Sequence, residues 1–233
     1  MCTSFVYRGQ DTIIGMNFDN NGMKYAIDTK NPNWFTILVD GGRGKSPSFG
    51  VDKFGRFFNN LAVDSNGKGL YRRPSKKVTH TTKLIIDIIN DVICTENLEE
   101  YLKDIEVVNM PNWSCHNMIC DSNANVWIVE PGRGSISNPA KSSPFYVMTN
   151  FSLWDNLYEN IKCDCNRFKT VSCALEKTKQ VNVETAFTIL DTVSQRNGEW
   201  ITAFSMVYSK NLHTVYYSLN GNFNERFEYK FSV

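Results

Sequence analysis

Residues 2–19 read CTSFVYRGQDTIIGMNFD, and this stretch predicts a β-hairpin. Apolar and β-branched residues favour strands at Thr3–Arg8 and Thr12–Phe18, and the intervening Gly-Gln-Asp is typical of a turn. Such a hairpin places Cys2 at the tip of the first strand and brings the end of the second strand back beside it. The interpretation of both fold and chemistry therefore starts at Cys2.

Cys2 follows the initiator methionine directly, and its small side chain suits removal of Met1 by a methionine aminopeptidase. Removal would leave a thiol and a free α-amino group on one residue. Their ordinary pKa values, about 8.5 and about 7.7–8.0, allow the amine to take the thiol proton near neutral pH. Cys2 is thus a candidate nucleophile with its own base. The alternative is a frayed terminal residue without a role.

Composition indicates a globular protein with a large core. The chain has 233 residues, 42% of them hydrophobic, and a formal net charge of +1, which gives no electrostatic case for nucleic acid or an anionic membrane surface. No apolar run suits a membrane span and the N-terminus lacks signal-peptide features, so we expect a cytoplasmic protein whose seven cysteines are reduced. Without linkers or repeats, one domain over residues 2–233 is expected, and a homo-oligomer is compatible with it.

The remaining sequence alternates between blocks of predicted strands and predicted helices. Strand patterns occupy residues 34–40, 55–64, 116–131, 144–151 and 202–231. Helical spacing of apolar residues occupies residues 81–93, 96–106 and 181–195. Strands, then helices, then strands again favour the α+β class over a doubly wound sheet.

Several motifs together resemble a known family. MCTSF, GMNFDN, HNMICDSNANVWIVEP, VMTNF, CNRF and AFSMVYSKNLHTVYYS follow one another as in the linear amide hydrolases of the choloylglycine hydrolase family, which include penicillin V acylases and conjugated bile salt hydrolases. The resemblance spans nearly the whole chain. It implies the fold of N-terminal nucleophile (Ntn) hydrolases, a four-layer α/β/β/α sandwich of two mainly antiparallel sheets. The acyl-coenzyme A:6-aminopenicillanic acid acyltransferases carry a similar Thr-Asn-Phe-like motif, so the subfamily stays open.

The resemblance also implies site residues. Asp19 matches the aspartate that hydrogen-bonds the amino group of the nucleophile, and Asn150 matches the asparagine that donates to the oxyanion. Arg167 matches an arginine of the active-site network, and Asn60, or alternatively Asn59, falls near a second donor. Read alone, Asp19 would be a turn acceptor, Asn150 would end a strand, and Arg167 would be a solvated arginine at the start of a helix.

Met16 marks a departure from the family pattern, because the relatives usually carry an arginine there, beside the nucleophile. Loss of that positive charge removes one source of thiolate stabilisation, which another arginine or the α-ammonium group would have to supply. Several apolar side chains near the motifs could instead build an acyl-binding pocket, although most would be core by default. They are Met16, Phe18, Met23, Phe58, Tyr146 and Trp154.

Two other groups of residues were considered as sites. Cys163 and Cys165 stand too close together for a zinc knuckle, and we predict neither a metal nor another cofactor. His116 lies between Cys115 and Cys120 on a predicted strand, where a Cys-His dyad is an open alternative but a packed histidine is favoured.

The resemblance, together with the candidate nucleophile Cys2, implies a hydrolase of non-peptide linear amides. Its partner would be a small-molecule N-acyl amide with an apolar acyl group and a small amine or amino acid as leaving group. The alternatives are transfer of the acyl group to an amine acceptor, a catalytically silent ligand-binding protein on the same fold, and a redox sensor that uses exposed thiols.

Overall fold

The structure, a computed structural model, describes residues 1–42, 44–161 and 164–232. Its strands, in chain order, are β1 (Thr3–Arg8), β2 (Thr12–Asn20), β3 (Lys24–Asp28), β4 (Trp34–Asp40), β5 (Lys45–Asp52), β6 (Phe57–Asn59), β7 (Leu61–Ala62), β8 (Val78–His80), β9 (Glu106–Val108), β10 (Cys115–Cys120), β11 (Val126–Glu130), β12 (Gly134–Asn138), β13 (Phe145–Met148), β14 (Ile201–Ser209), β15 (Thr214–Leu219) and β16 (Phe227–Lys230). Its α-helices are α1 (Thr81–Ile89), α2 (Leu98–Asp104), α3 (Leu153–Tyr158), α4 (Asn166–Lys177) and α5 (Val183–Thr192).

Two large antiparallel sheets dominate the fold. The first has the order β13-β1-β2-β14-β15-β16, and the second has the order β12-β11-β10-β6-β5-β4-β3, with β7 paired to β10 beside this path. The short strands β8 and β9 form a separate parallel pair. The predicted N-terminal hairpin is confirmed, and β1 lies inside the first sheet with β13 on one side and β2 on the other.

Three apolar clusters define four layers. Alternating side chains of both sheets, such as Val6, Phe35 and Met118, fill the space between them. The outer face of the first sheet packs against α4 and α5, and the outer face of the second packs against α1 and α2. The predicted α+β class and α/β/β/α sandwich are therefore confirmed.

Helix α1 ends earlier than its apolar pattern predicts. The pattern continues to residue 93, but the chain leaves the helix after Ile89, and Asp91 adopts a φ of 54°, in the left-handed region. Val92 is consequently exposed rather than packed.

In the described part of the chain, no helix is long and apolar enough to cross a membrane.

Candidate active site

The strand register brings the predicted site residues together at one end of the first sheet. Strands β1 and β13 are antiparallel, and Ser4 pairs with Met148. Cys2, two residues before Ser4, therefore stands opposite Asn150, two residues after Met148. On the other side of β1, strand β2 returns Asp19 to the same end of the sheet. The central position of β1 is what surrounds Cys2 with partners from two neighbouring strands.

Cys2 is buried, with 7% of its surface exposed, and is held mainly through its backbone. Its N–H donates to Asn150 Oδ1 at 2.5 Å, and its carbonyl oxygen accepts from the guanidinium of Arg167. The same guanidinium donates to Thr3 Oγ1 at 2.9 Å and to Asn150 Oδ1 at 3.2 Å. The Cys2 thiol is 3.8 Å from the carbonyl oxygen of Asp19. These contacts fix the position of the thiol.

The environment of the Cys2 thiol favours its protonated form. Burial raises the pKa of Cys2 to about 11, while the positive charges of the N-terminal amino group and Arg167 act in the opposite direction. A thiol in this setting needs a nearby base when it attacks a substrate. The amino group that removal of Met1 would expose is attached to Cys2 itself.

The carboxylate of Asp19 is buried and asymmetrically paired. Its Oδ1 accepts from Thr202 Oγ1 at 2.6 Å, and Thr202 Oγ1 in turn accepts from the backbone N–H of Gln195 at 2.7 Å. Its Oδ2 finds no hydrogen-bond donor among the described residues and is 3.9 Å from Arg167 Nη1. Burial raises the pKa of Asp19 to about 6, against the lowering effect of the Thr202 hydrogen bond. One carboxylate oxygen is thus left for a positively charged partner.

Asn150 contacts Cys2 through its side-chain carbonyl oxygen. Its Oδ1 accepts from the N–H of Cys2 and from the guanidinium of Arg167. Its Nδ2 donates to the carbonyl oxygen of Ala62 at 2.8 Å. An amide nitrogen carries two hydrogens, and Ala62 accepts one of them. The predicted donation to an oxyanion would use the second hydrogen.

Of the two neighbouring asparagines considered as a second donor, Asn60 is the one at the cavity. Its Nδ2 contacts Thr82 Oγ1 at 3.2 Å, and both side chains line the space beside Cys2. Asn59 is fully buried, where its Nδ2 donates to Ser4 Oγ and its Oδ1 accepts from the backbone of β10. Asn59 therefore joins the two sheets.

A cavity of about 390 Å³ opens at the thiol. Its polar lining includes Cys2, Asp19, Asn60 and Asn150. Its apolar lining includes Phe18, Met23, Leu61, Met110, Pro111 and Trp113. Met1 lines the same cavity, so the residue that precedes the candidate nucleophile stands in front of it.

Four of the six predicted pocket residues do not line this cavity. Phe18 and Met23 do, whereas Met16 is fully buried in the core between the sheets. Phe58 lies on the opposite face of the second sheet, beneath α1, because strand alternation directs its neighbour Phe57 inward instead. The further candidates Tyr146 and Trp154 also lie outside the cavity lining and pack against the inter-sheet core.

The other sequence candidates have different surroundings. His116 is fully buried and neither ring nitrogen faces a thiol, since Nδ1 is 2.9 Å from Glu130 Oε1 and Nε2 is 2.9 Å from the carbonyl oxygen of Thr149. Cys163 lies outside the described residues. Within the ranges that the structure describes, no three His, Cys, Asp or Glu side chains form a group that could hold a metal ion.

Thr202 and Gln195 were missed by the sequence analysis. Thr202 is the second residue of β14, next to β2, and Gln195 lies in the segment after α5. Thr202 reaches Asp19, and Gln195 reaches Thr202, only through tertiary structure. No local pattern marks either residue. A register shift in the β2–β14 pairing, between Thr202 and Phe204, accompanies the contact.

Comparisons with known proteins agree with this architecture. No protein-family model and no curated protein sequence matches the chain. Among solved structures, a cysteine-to-alanine variant of conjugated bile acid hydrolase from Clostridium perfringens superposes with a TM-score of 0.71 at 15% identity, over 99% of this chain and 92% of that one. Penicillin V acylase from Agrobacterium tumefaciens gives 0.65 at 15% identity, over 94% and 83%.

A Caenorhabditis elegans orthologue of N-acylethanolamine-hydrolyzing acid amidase gives a TM-score of 0.61 at 18% identity, over 88% of this chain and 92% of that one. These three structures are of amide hydrolases, and the similarity extends over most of each chain. This chain has the fold of those N-terminal nucleophile hydrolases, as the motif resemblance predicted.

Proposed function

We propose that this protein is an amidase that hydrolyses a non-peptide N-acyl amide, with Cys2 as its N-terminal nucleophile. The observation that carries the proposal is the convergence of Cys2 with Asp19, Asn150 and Arg167 at the wall of a largely apolar cavity. Asp19 lies on β2, Asn150 in the turn after β13 and Arg167 on α4, and each contacts Cys2 or another member of the group.

The reaction would begin after removal of Met1, which frees the α-amino group and clears the space in front of the thiol. The Cys2 thiol attacks the amide carbonyl carbon, and its proton passes to the α-amino group. The oxyanion accepts hydrogen bonds from Asn150 Nδ2 and Asn60 Nδ2. Asn150 Oδ1 and the Arg167 guanidinium hold the nitrogen and the carbonyl oxygen of Cys2 in place during this step. Asp19 Oδ2, which accepts no hydrogen bond from the described residues, would accept from the α-ammonium group.

Breakdown of the tetrahedral intermediate breaks the carbon–nitrogen bond. The proton held by the α-ammonium group moves to the leaving amine, and a thioester on Cys2 remains. Water then attacks the thioester, with the α-amino group taking one of its protons and returning it to the departing thiolate. The products are a carboxylic acid and an amine, and Cys2 returns to its initial state.

The cavity favours an apolar acyl group. Side chains such as Phe18, Met23 and Trp113 present hydrocarbon and ring surface, and a volume of about 390 Å³ suits a small molecule rather than a folded polypeptide. The superposed structures act, by their names, on conjugated bile acid, penicillin V and N-acylethanolamine. These three classes are the first substrates to test.

The test combines intact mass, thiol labelling and turnover. We expect purified protein to lack Met1, Cys2 to react with iodoacetamide faster than the exposed Cys94, and one of the three amide classes to be hydrolysed. Cys2→Ala should abolish hydrolysis, while the matched control Cys94→Ala should leave it unchanged. Retention of Met1, with Cys2 no more reactive than Cys94, would contradict the proposal.

The same experiment separates the alternatives. Product that forms only when an amine acceptor is added indicates acyl transfer. Ligand binding without turnover, equally strong in Cys2→Ala, indicates a binding protein on this fold.

A further inference from the structure

A buried histidine–glutamate pair lies directly behind Asn150. His116 on β10 and Glu130 at the end of β11 are each at most 1% exposed, and His116 Nδ1 is 2.9 Å from Glu130 Oε1. His116 Nε2 is 2.9 Å from the carbonyl oxygen of Thr149, the residue that precedes Asn150. The pair is therefore one peptide unit away from the candidate active site.

Glu130 accepts four hydrogen bonds, which identifies it as an ionised carboxylate. Besides His116, the donors are the Ser152 hydroxyl at 2.5 Å and the backbone N–H groups of Leu153 at 3.0 Å and Trp154 at 3.1 Å. Burial opposes the charge, but the hydrogen bonds from His116 and Ser152 outweigh it and keep the pKa of Glu130 below its ordinary value. Both nitrogens of His116 thus face oxygen atoms, Glu130 Oε1 on one side and the carbonyl oxygen of Thr149 on the other.

These bonds hold the chain on both sides of Asn150. His116 fixes the carbonyl oxygen of Thr149 on one side, and Glu130 fixes Ser152 and Leu153 on the other. A turn after a strand would otherwise be among the more mobile parts of a sheet. Asn150 itself carries the contacts to Cys2 N and Arg167.

We propose that the His116–Glu130 pair is a positioning device for Asn150 and so acts on the reaction of Cys2 without touching the substrate. This inference rests on the proposed amidase function. Neither side chain of the pair lines the cavity beside Cys2, and their hydrogen bonds reach the backbone on either side of Asn150. The contribution of this pair should accordingly appear in the geometry of Asn150, where an error of about 1 Å can cost about 100-fold in rate.

The test is a double-mutant cycle between His116→Gln and Asn150→Ala. The readout is the single-turnover rate of Cys2 acylation, followed by mass and divided by the fraction of Cys2 that iodoacetamide can titrate. We expect His116→Gln to lower this rate about 10- to 100-fold relative to wild type. The substrate concentration that gives the half-maximal rate should stay within about twofold of the wild-type value. In the Asn150→Ala background the same substitution should change the rate by less than about threefold, because its effect passes through Asn150.

Two controls separate positioning from stability. Ile119→Val, on the same strand but facing α1, should lower the unfolding midpoint in urea and leave the acylation rate unchanged. Ser152→Ala removes a different donor of the network and replaces His116→Gln in the cycle if that variant does not fold.

The possible outcomes are distinct. A non-additive cycle supports the inference. Additive effects of the two substitutions, or a His116→Gln rate equal to that of wild type, would overturn it. A wild-type protein that forms no acyl-Cys2 would instead show that the proposed amidase function fails.

Discussion

Replacing Thr202 by valine tests the electrostatics of the site through one hydrogen bond. Thr202 Oγ1 donates to Asp19 Oδ1 at 2.6 Å, and both side chains are buried. A hydrogen bond to a charged group contributes about 1.5–3 kcal/mol, and one pKa unit corresponds to about 1.4 kcal/mol. Thr202→Val should therefore raise the pKa of Asp19, now about 6, by about one unit or more.

The sign of the effect on stability follows from linkage. In the folded chain the pKa of Asp19 is about 6, above its ordinary value of 3.8, so the stability tied to this group is complete below the unfolded pKa and is lost as pH rises through the folded pKa. Thr202→Val extends this loss to higher pH. Relative to wild type, the free energy of unfolding should fall by about 1.4 kcal/mol more at pH 8 than at pH 5 for each unit of added shift.

A second part of the loss in the free energy of unfolding of Thr202→Val should not depend on pH. The valine also leaves the backbone N–H of Gln195 without its acceptor, at a cost of about 1–3 kcal/mol. Urea unfolding of wild type, Thr202→Val and Thr202→Ser at pH 5 and pH 8 separates the two parts, because serine keeps the hydroxyl. A loss in Thr202→Val that is equal at both pH values would refute the reasoning. In an activity assay, the acid limb of kcat/KM should move to higher pH in the same variant.

Three further substitutions test other parts of the site. Arg167→Lys should lower kcat/KM for hydrolysis at least tenfold, because a lysine ammonium cannot reproduce the planar set of donors toward Cys2 O and Asn150; an unchanged value would contradict this role. Gly15→Ala should reduce the free energy of unfolding in urea by about 1–3 kcal/mol, because its Cβ would lie 2.4 Å from the buried ring of Phe5, and an unchanged midpoint would show that the ring moves freely. Cys2→Ala should abolish acylation yet leave the urea midpoint nearly unchanged, whereas a large loss of stability would indicate a mainly structural cysteine.

Local sequence patterns predict the parts of this fold that local forces decide. The hairpin of β1 and β2 follows from strand residues around a short turn, and its bounds agree with the prediction to within two residues at Asn20. The sequence indicated the start of helix α4 at Arg167 but not its extent, because the helix is mostly polar and buries just Val171 and Leu175 among its described side chains. That helix nevertheless places Arg167 beside Cys2, so an element that contributes to the candidate site has only a weak apolar periodicity in the sequence.

Contacts between distant strands lie beyond such patterns. The partner of Asp19, Thr202, is 183 residues away in sequence, and the contact depends on β14 pairing with β2. The pocket prediction failed for Phe58 for a related reason. Proximity to a motif in sequence does not say which face of a strand a side chain occupies, and here Phe58 faces α1.

Met16 shows how a departure from a motif can be accommodated by the rest of the structure. The relatives that this chain resembles usually carry an arginine there, but the position is fully buried between the sheets, where an unpaired charge would be strongly destabilising. Arg167, which matches another arginine of the family, approaches Cys2 from α4, and burial raises the pKa of the thiol while the N-terminal amino group and Arg167 lower it. The side-chain positive charge near Cys2 is thus supplied from a helix rather than from β2, and it adds to the larger effect of the N-terminal amino group on the thiol.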